Sequence, residues 1–248
     1  MDKDRFMEWY SIVGACVCFL AVLFFGLSIH FYPGGSYRDH TRDGFFFMGN
    51  TISDLGRIIA VNGEPNPISR TFYILGLTTV SFFTFGFYLK MISIFKDKKI
   101  IKWVSLVGSI FGFIQSIAYF IIPFVSVDVN FVAHNKMIFI AAPFLFATIF
   151  VYIFVFFLGK KLPKINVYSF LGLAISAVAL ATAITVGAIK GGPINEIIRR
   201  SGHTLFIFIS TFVNGLQFIG LYIYIKNNRI KEEKSSEIIS QKELDTTS

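Results

Sequence analysis

MIFIAAPFLFATIFVYIFVFFL, residues 137–158, contains no charged side chain. An α-helix rises about 1.5 Å per residue, so this stretch forms a helix of about 33 Å, long enough to cross the ~30 Å hydrocarbon core of a bilayer. Five more apolar runs of comparable length occur, at residues 10–31, 72–91, 103–124, 167–188 and 205–225. The sequence therefore predicts an all-α integral membrane protein built as a bundle of six transmembrane helices.

The composition of the whole chain favours the same fold class. Of the 248 residues, 54% are hydrophobic and only 15% are charged, whereas soluble domains average about 25% charged residues. This difference argues against a soluble protein, and we predict a six-helix transmembrane domain over residues 1–226. Residues 227–248 are mostly polar. We expect them to form a cytoplasmic tail that is disordered or only partly helical.

Lysine and arginine residues are unevenly divided between the two sides of the predicted bundle. Fifteen of the 23 lie in the N-terminal segment, the second and fourth loops and the tail, and the other eight lie in the remaining loops. Because basic residues accumulate on the cytoplasmic side, both termini are predicted to be cytoplasmic. The first loop is then on the outer side. It is long, at residues 32–71, and we expect it to fold back over the helices as a lid.

Ionisable side chains gather at the predicted outer ends of the helices. Asp54 and Arg57 lie in the first outer loop, while His134 and His203 lie near the starts of the fourth and sixth apolar runs. Ionisable groups near membrane depth are energetically expensive and are candidates for function. The alternatives are a structural Asp54–Arg57 pair, head-group binding and proton-linked switching. Further candidates for the same cluster are His30, Arg199 and Arg200.

A polar stripe follows the sixth apolar run. His203, Ser210, Asn214 and Gln217 are separated by seven, four and three residues, so they share one face of a helix. Unsatisfied amides are costly in hydrocarbon, and this face is expected to look into the bundle. It either hydrogen-bonds neighbouring helices or lines a polar ligand pocket. The candidate ligand-binding residues are therefore Asp54, Arg57, His134, His203, Asn214, Gln217 and Gln115.

Signatures of cofactor binding and catalysis are missing from the sequence. It has no Walker-type glycine-rich loop, no GxSxG motif and no paired-cysteine motif. Two histidines and Asp54 could in principle hold Zn²⁺, but no HxxxH or HExxH pair places two ligands on one helical turn, so no metal site is predicted. We predict no cofactor and assign no catalytic residues. The basic residues are not interleaved with aromatic ones, so nucleic acid is not an expected partner.

Small residues form a stripe on the third apolar run. Ser105, Gly108, Gly112 and Ser116 fall three, four and four residues apart, on one helix face where a neighbouring helix can approach closely. The contact is either one inside the monomer or the interface of a homo-oligomer formed through Gly108 and Gly112.

Several features resemble a known group of membrane proteins. They are the six spans, the Ile52-Ser53-Asp54-Leu55-Gly56 segment in a long outer loop, the Glu64-Pro65-Asn66-Pro67 segment before an aromatic-led second span, and a histidine opening the fourth span. Together they resemble the six-span Frag/DRAM/Sfk group and the related prokaryotic family of unknown function. The resemblance implies a membrane role linked to lipids.

The sequence thus favours a multi-pass protein of the cell membrane or an endomembrane, with membrane lipids as partners. We expect an outer-side polar pocket that binds a lipid head group or a small polar ligand in a lipid-related regulatory role. One alternative is a membrane-embedded lipid hydrolase or transferase using histidine and aspartate as acid, base or metal ligands. Another is a transporter of small solutes.

Overall fold

The computed structural model describes residues 3–95 and 98–246 and contains six α-helices. Each of the six includes a segment long and apolar enough to cross a membrane, which confirms the predicted number of spans. No strand occurs in the described parts of the chain, where extended pairing is limited to two isolated bridges. The helices are α1 (Lys3–His30), α2 (Pro67–Ile94), α3 (Lys99–Ile121), α4 (Phe131–Gly159), α5 (Lys164–Lys190) and α6 (Pro193–Thr246).

Local sequence signals explain where the helices begin and end. Pro67 starts α2, a position where a missing backbone N–H removes no helical hydrogen bond. The Asn130 side chain caps α4 by accepting a hydrogen bond from the Ala133 N–H at 2.9 Å. Lys160 ends α4 in the left-handed conformation (φ 53°). Gly191 ends α5 with φ 65°, which glycine adopts without steric penalty.

The six helices form a closed ring in chain order, with α6 packed back against α1. The neighbouring pair with the least contact is α4 and α5. Aromatic side chains fill much of the interior, and Tyr152, Phe156 and Phe218 are completely buried. The small-residue stripe of α3 packs inside the monomer. A Cβ on Gly112 would meet the Tyr88 ring at 2.4 Å, and one on Gly108 would meet Val151 at 2.8 Å.

The long segment between α1 and α2 covers one end of the ring. We call residues 31–66 the cap, and the end they cover the capped end. The cap contains a short 3₁₀ helix, Ile52–Gly56, whose residues are all buried. The Asn66 amide holds this helix by donating to the carbonyl oxygens of Leu55 (3.0 Å) and Arg57 (3.1 Å). The expectation that this segment folds back over the bundle agrees with the structure.

The C-terminal tail continues α6 rather than leaving it. Where the sequence led us to expect a disordered or only partly helical tail, the structure has an exposed helix through to Thr246. Two features favour helix here. The tail is rich in Glu and Lys, which are good helix formers. Arg229 also joins the start of the tail to α1 and to the next helical turn, through Glu8 (2.8 Å) and Glu233 (3.6 Å).

Candidate functional site

A cavity of about 340 Å³ lies beneath the cap, inside the capped end of the ring. Its wall is mostly apolar, in contrast to the polar pocket that the sequence suggested. The polar side chains in the wall are Ser53, Tyr73, Tyr119, Thr185 and His203. The apolar ones are Ile52, Leu77, Ile122, Ile138, Ala142, Leu145, Phe146, Leu180, Ala181, Ile184, Phe206 and Ile207. We call this space the main cavity.

From the exposure of its lining residues, we infer that the main cavity opens sideways between α4 and α5. Ala181, Ile184 and Thr185 of α5 line it and are also exposed on the outside of the bundle. Across the gap, Ile138 and Ala142 of α4 line it and are half-buried. Because these helices make less contact than any other neighbouring pair, the space between them is a route from the apolar flank of the protein into its interior.

His203 is the predicted site residue that faces the main cavity. It lies on α6 and is half-buried. Its ring has no hydrogen-bond partner among residues 3–95 and 98–246. His134 is close enough to interact with it electrostatically. An imidazole in this position can donate one hydrogen bond and accept another.

His134 is buried beside the main cavity rather than lining it. Its Nδ1 lies 2.7 Å from the Val125 carbonyl oxygen, and because a carbonyl only accepts, Nδ1 must be the donor. Nε2 is then an acceptor, and it is buried without a hydrogen-bond partner in the described part of the chain. His134 also lies within electrostatic range of Asp54. The structure therefore brings these two residues and His203 to one region, as the sequence predicted for the outer ends of the helices.

Asp54 and Arg57 form the pair expected from their spacing, with 3.6 Å between Asp54 Oδ1 and Arg57 Nη1. Asp54 is buried and also accepts hydrogen bonds from the Thr51 backbone N–H (2.8 Å) and the Asn50 amide (3.4 Å). These contacts give Asp54 the structural role of holding the 3₁₀ helix of the cap. That helix in turn presents the neighbouring Ile52 and Ser53 to the main cavity.

Asp128 fastens the cap, and the sequence reasoning missed it. It lies in the short connection between α3 and α4, and its carboxylate accepts hydrogen bonds from the backbone N–H groups of Ile58 (3.0 Å) and Ile59 (3.0 Å). The Ser126 hydroxyl donates to the same carboxylate and also to the Gly56 carbonyl (3.1 Å). Burial alone raises the pKa of Asp128, but these hydrogen bonds outweigh it and hold that pKa below its ordinary value.

Gln217 belongs to a different part of the bundle. Its Oε1 accepts from the Asn166 amide at 2.7 Å, and its Nε2 donates to the Asn166 carbonyl oxygen at 3.0 Å and to the Ser169 hydroxyl at 2.6 Å. These bonds join α6 to the start of α5. Gln217 thus makes the interhelical hydrogen bonds that were one of the two alternatives for this face, and it does not line the main cavity.

Gln115 and Asn214 line a second, smaller space of about 30 Å³, which we call the inner chamber. It also contains the hydroxyl-bearing residues Ser81, Thr84, Tyr88, Ser210 and Thr211. The inner chamber and the main cavity share Leu77, Tyr119, Leu145 and Ile207 as a common wall. Gln115 Oε1 is buried without a partner in the described chain. A chamber of this size and polarity is sufficient for a bound water molecule.

The remaining candidates lie away from the main cavity. Arg199 and Arg200 both pair with Glu196, at 2.8 and 3.1 Å. The Arg200 guanidinium also lies over the Tyr37 ring, 4.6 Å from its centroid. His30, at the end of α1, contacts the Phe31 ring edge-on. None of these three side chains lines either of the two spaces described above, although Arg199 lies within electrostatic range of His203.

The described residues contain no group of three His, Cys, Asp or Glu side chains placed to hold a metal ion. The zinc arrangement considered from the sequence is therefore not formed by these side chains. The fold and the site together define a bundle of six helices, each long and apolar enough to cross a membrane, with a largely apolar cavity inside one end. The chain matches no family model, no curated protein and no solved structure.

Proposed function

We propose that the protein is a multi-pass membrane protein that binds a membrane lipid in the main cavity, beneath the cap. The observation that carries this proposal is the sideways opening between α4 and α5, bounded by Ala181, Ile184 and Thr185. A ligand dissolved in water would have to cross the cap, whereas a lipid can reach this opening from within the bilayer. With both termini on the cytoplasmic side, the cap and the main cavity face the outer leaflet.

The wall chemistry supports a lipid over a small polar solute. Pockets for small ligands are typically apolar with a few polar groups that fix orientation, and the main cavity has this character. A transported solute would need a polar route through the bundle, whereas Leu77 and Ile207 lie between the main cavity and the inner chamber. The resemblance to the Frag/DRAM/Sfk group favours the same lipid-linked role.

The contacts of the ionisable residues favour binding over catalysis. A hydrolytic mechanism based on Asp54 and His203 would have the carboxylate orient the imidazole. Asp54 instead bonds to Thr51 and Asn50 and pairs with Arg57. We therefore propose a regulatory or sensing role in which the occupied and the empty cavity are the two states.

The test is to block the opening and measure which lipids remain bound. Ala181→Trp places a large side chain at the mouth of the main cavity, and Ala179→Trp places the same side chain on the exposed surface of the same helix. Native mass spectrometry of the protein, purified in mild detergent, should show retained lipid in the wild type and in Ala179→Trp. Ala181→Trp should retain less than a tenth as much while keeping its helical circular dichroism.

Two outcomes would contradict the proposal. One is a wild-type protein that retains no lipid under conditions in which it remains folded. The other is a folded Ala181→Trp variant that retains as much lipid as Ala179→Trp, since the bound lipid would then lie on the outer surface of the bundle.

A further inference from the structure

The main cavity has no permanently charged side chain in its wall. Its polar groups are four hydroxyl-bearing residues, Ser53, Tyr73, Tyr119 and Thr185, together with His203. The Thr185 hydroxyl already donates to the Ala181 carbonyl oxygen at 2.8 Å, and the Tyr73 hydroxyl interacts with Ser53, so part of this small polar set is already engaged. The free hydrogen-bonding capacity of the wall is concentrated on the His203 imidazole and the Tyr119 hydroxyl.

Three arginines of the capped end, Arg57, Arg199 and Arg200, are paired with carboxylates and do not line the main cavity. Arg57 pairs with Asp54 and donates to the Ile59 carbonyl oxygen at 3.2 Å. Arg199 and Arg200 share the Glu196 carboxylate, and Arg199 lies within electrostatic range of His203 without lining the cavity. A phosphate group inside the main cavity would therefore find no arginine or lysine in the wall, and a buried charge without such a partner is costly.

The polar head group of a lipid, rather than its chain, determines whether the lipid binds in the main cavity. Lipid tails are about as apolar as leucine side chains, so a chain gains little when it leaves the bilayer for an apolar cavity. Selectivity consequently depends on the few hydrogen bonds available in the wall. These suit a group that can both donate and accept, as a hydroxyl does.

We infer that the ligand is an uncharged, single-chain lipid with a small hydroxyl-bearing head group, of the monoacylglycerol or long-chain alcohol class. Its hydroxyl binds the His203 imidazole, and its chain extends along the apolar wall to the opening between α4 and α5. This inference rests on the proposed lipid-binding function and narrows it.

The size of the main cavity agrees with a single chain. About 340 Å³ is at the low end of the ~300–1,000 Å³ range of small-ligand pockets. A two-chain phospholipid would have to leave most of its bulk outside the opening. A single-chain lipid can place its head group and the adjoining part of its chain inside.

The test compares two lipids that share one chain and differ in the phosphate. Monooleoylglycerol and oleoyl lysophosphatidate are titrated separately into the purified full-length protein in uncharged detergent, with native mass spectrometry and thermal unfolding as readouts. We expect monooleoylglycerol to bind at least tenfold more tightly. His203→Leu should weaken its binding about three- to tenfold, and His203→Gln, which keeps a donor and an acceptor, should recover most of that loss. Neither change should affect the weak binding of lysophosphatidate.

Equal or tighter binding of lysophosphatidate overturns the inference and leaves the lipid site in place. So does a His203→Leu variant that is folded and binds monooleoylglycerol as the wild type does. If neither lipid binds while native lipid is still retained and is lost in Ala181→Trp, the inference on lipid class is wrong and the proposed function survives. If no lipid is retained at all, both are overturned.

Discussion

Replacing Asp128 by alanine should release the cap from the connection between α3 and α4. The substitution removes the acceptor for the backbone N–H groups of Ile58 and Ile59 and for the Ser126 hydroxyl. It leaves the hydrophobic interior untouched, because Asp128 lies outside the six helices. The expected result is a cap that opens locally while the helical ring stays folded.

The magnitude follows from the number and setting of these hydrogen bonds. A hydrogen bond to a charged acceptor contributes about 1.5–3 kcal/mol when buried. Both backbone bonds to Asp128 are solvent-exposed, so the released N–H groups can bond to water and the contribution is smaller. We expect Asp128→Ala to lower the free energy of opening the cap by about 1–3 kcal/mol. Asp128→Asn, which keeps one acceptor oxygen, should lower it by about half as much.

Hydrogen–deuterium exchange measures this opening directly at Ile58 and Ile59. Exchange there should become about 5- to 150-fold faster in Asp128→Ala, in proportion to the opening equilibrium. Asp39→Ala is the matched control. Asp39 is an exposed carboxylate in the same cap that bonds within its own turn, to Thr41. Unchanged exchange at Ile58 and Ile59 in Asp128→Ala would refute the fastening role.

The pH dependence of this exchange gives a second check on Asp128. Its pKa is lowered in the folded protein, so its stabilising contribution is complete above the ordinary aspartate pKa of about 3.9. The contribution is lost as the pH falls below that value and through the lowered pKa. The difference between the wild type and Asp128→Ala should therefore be constant from neutral pH to about pH 4 and shrink only in stronger acid.

Substitutions at two positions, Gln217 and Gly112, test the packing of the ring. Gln217→Leu should destabilise the protein by about 1–2 kcal/mol in thermal unfolding, since interhelical hydrogen bonds in membranes are typically of that size or less. If Gln217 and Asn166 act as a unit, adding Asn166→Leu to Gln217→Leu should lower the free energy of unfolding little further. Additive losses in the double variant would contradict this coupling. Gly112→Ala should lower the unfolding temperature, because the new Cβ would lie 2.4 Å from the Tyr88 ring, whereas Gly172→Ala meets open space. Equal effects of the two alanines would show that α2 and α3 are free to separate.

The number of helices could be predicted because apolar length alone decides it. Their boundaries could not be placed from hydropathy, since helical hydrogen bonding continues through polar residues. The sixth apolar run was placed at 205–225, yet α6 begins at Pro193. The sequence does carry a signal for this start. Gly191 and Gly192 are followed by Pro193, a pattern that favours the end of one helix and the start of the next.

The candidate site was predicted in part. Helix periodicity correctly placed His203 and Asn214 on the inner face of α6, but it gives no distance along the axis. Gln217 lies fourteen residues after His203, which is about 21 Å along a helix, too far for both to share one small cavity. Asp128 was missed because its role depends on contact with a cap residue 70 positions away in the chain, and local sequence patterns do not report such contacts.

The continuous helix α6 connects the wall of the main cavity to the exposed tail, so it could act as a lever whose two arms differ in length. Gln217, which exchanges hydrogen bonds with Asn166 in both directions, divides this helix into two unequal parts. One arm, from Gln217 to His203 in the wall of the main cavity, is about 21 Å long, and the other, from Gln217 to Thr246, is about 44 Å long. If α6 pivots rigidly by about 5°, His203 moves about 2 Å and Thr246 moves about 4 Å in the opposite direction. Under such a pivot, a small displacement at the cavity would be about doubled at Thr246.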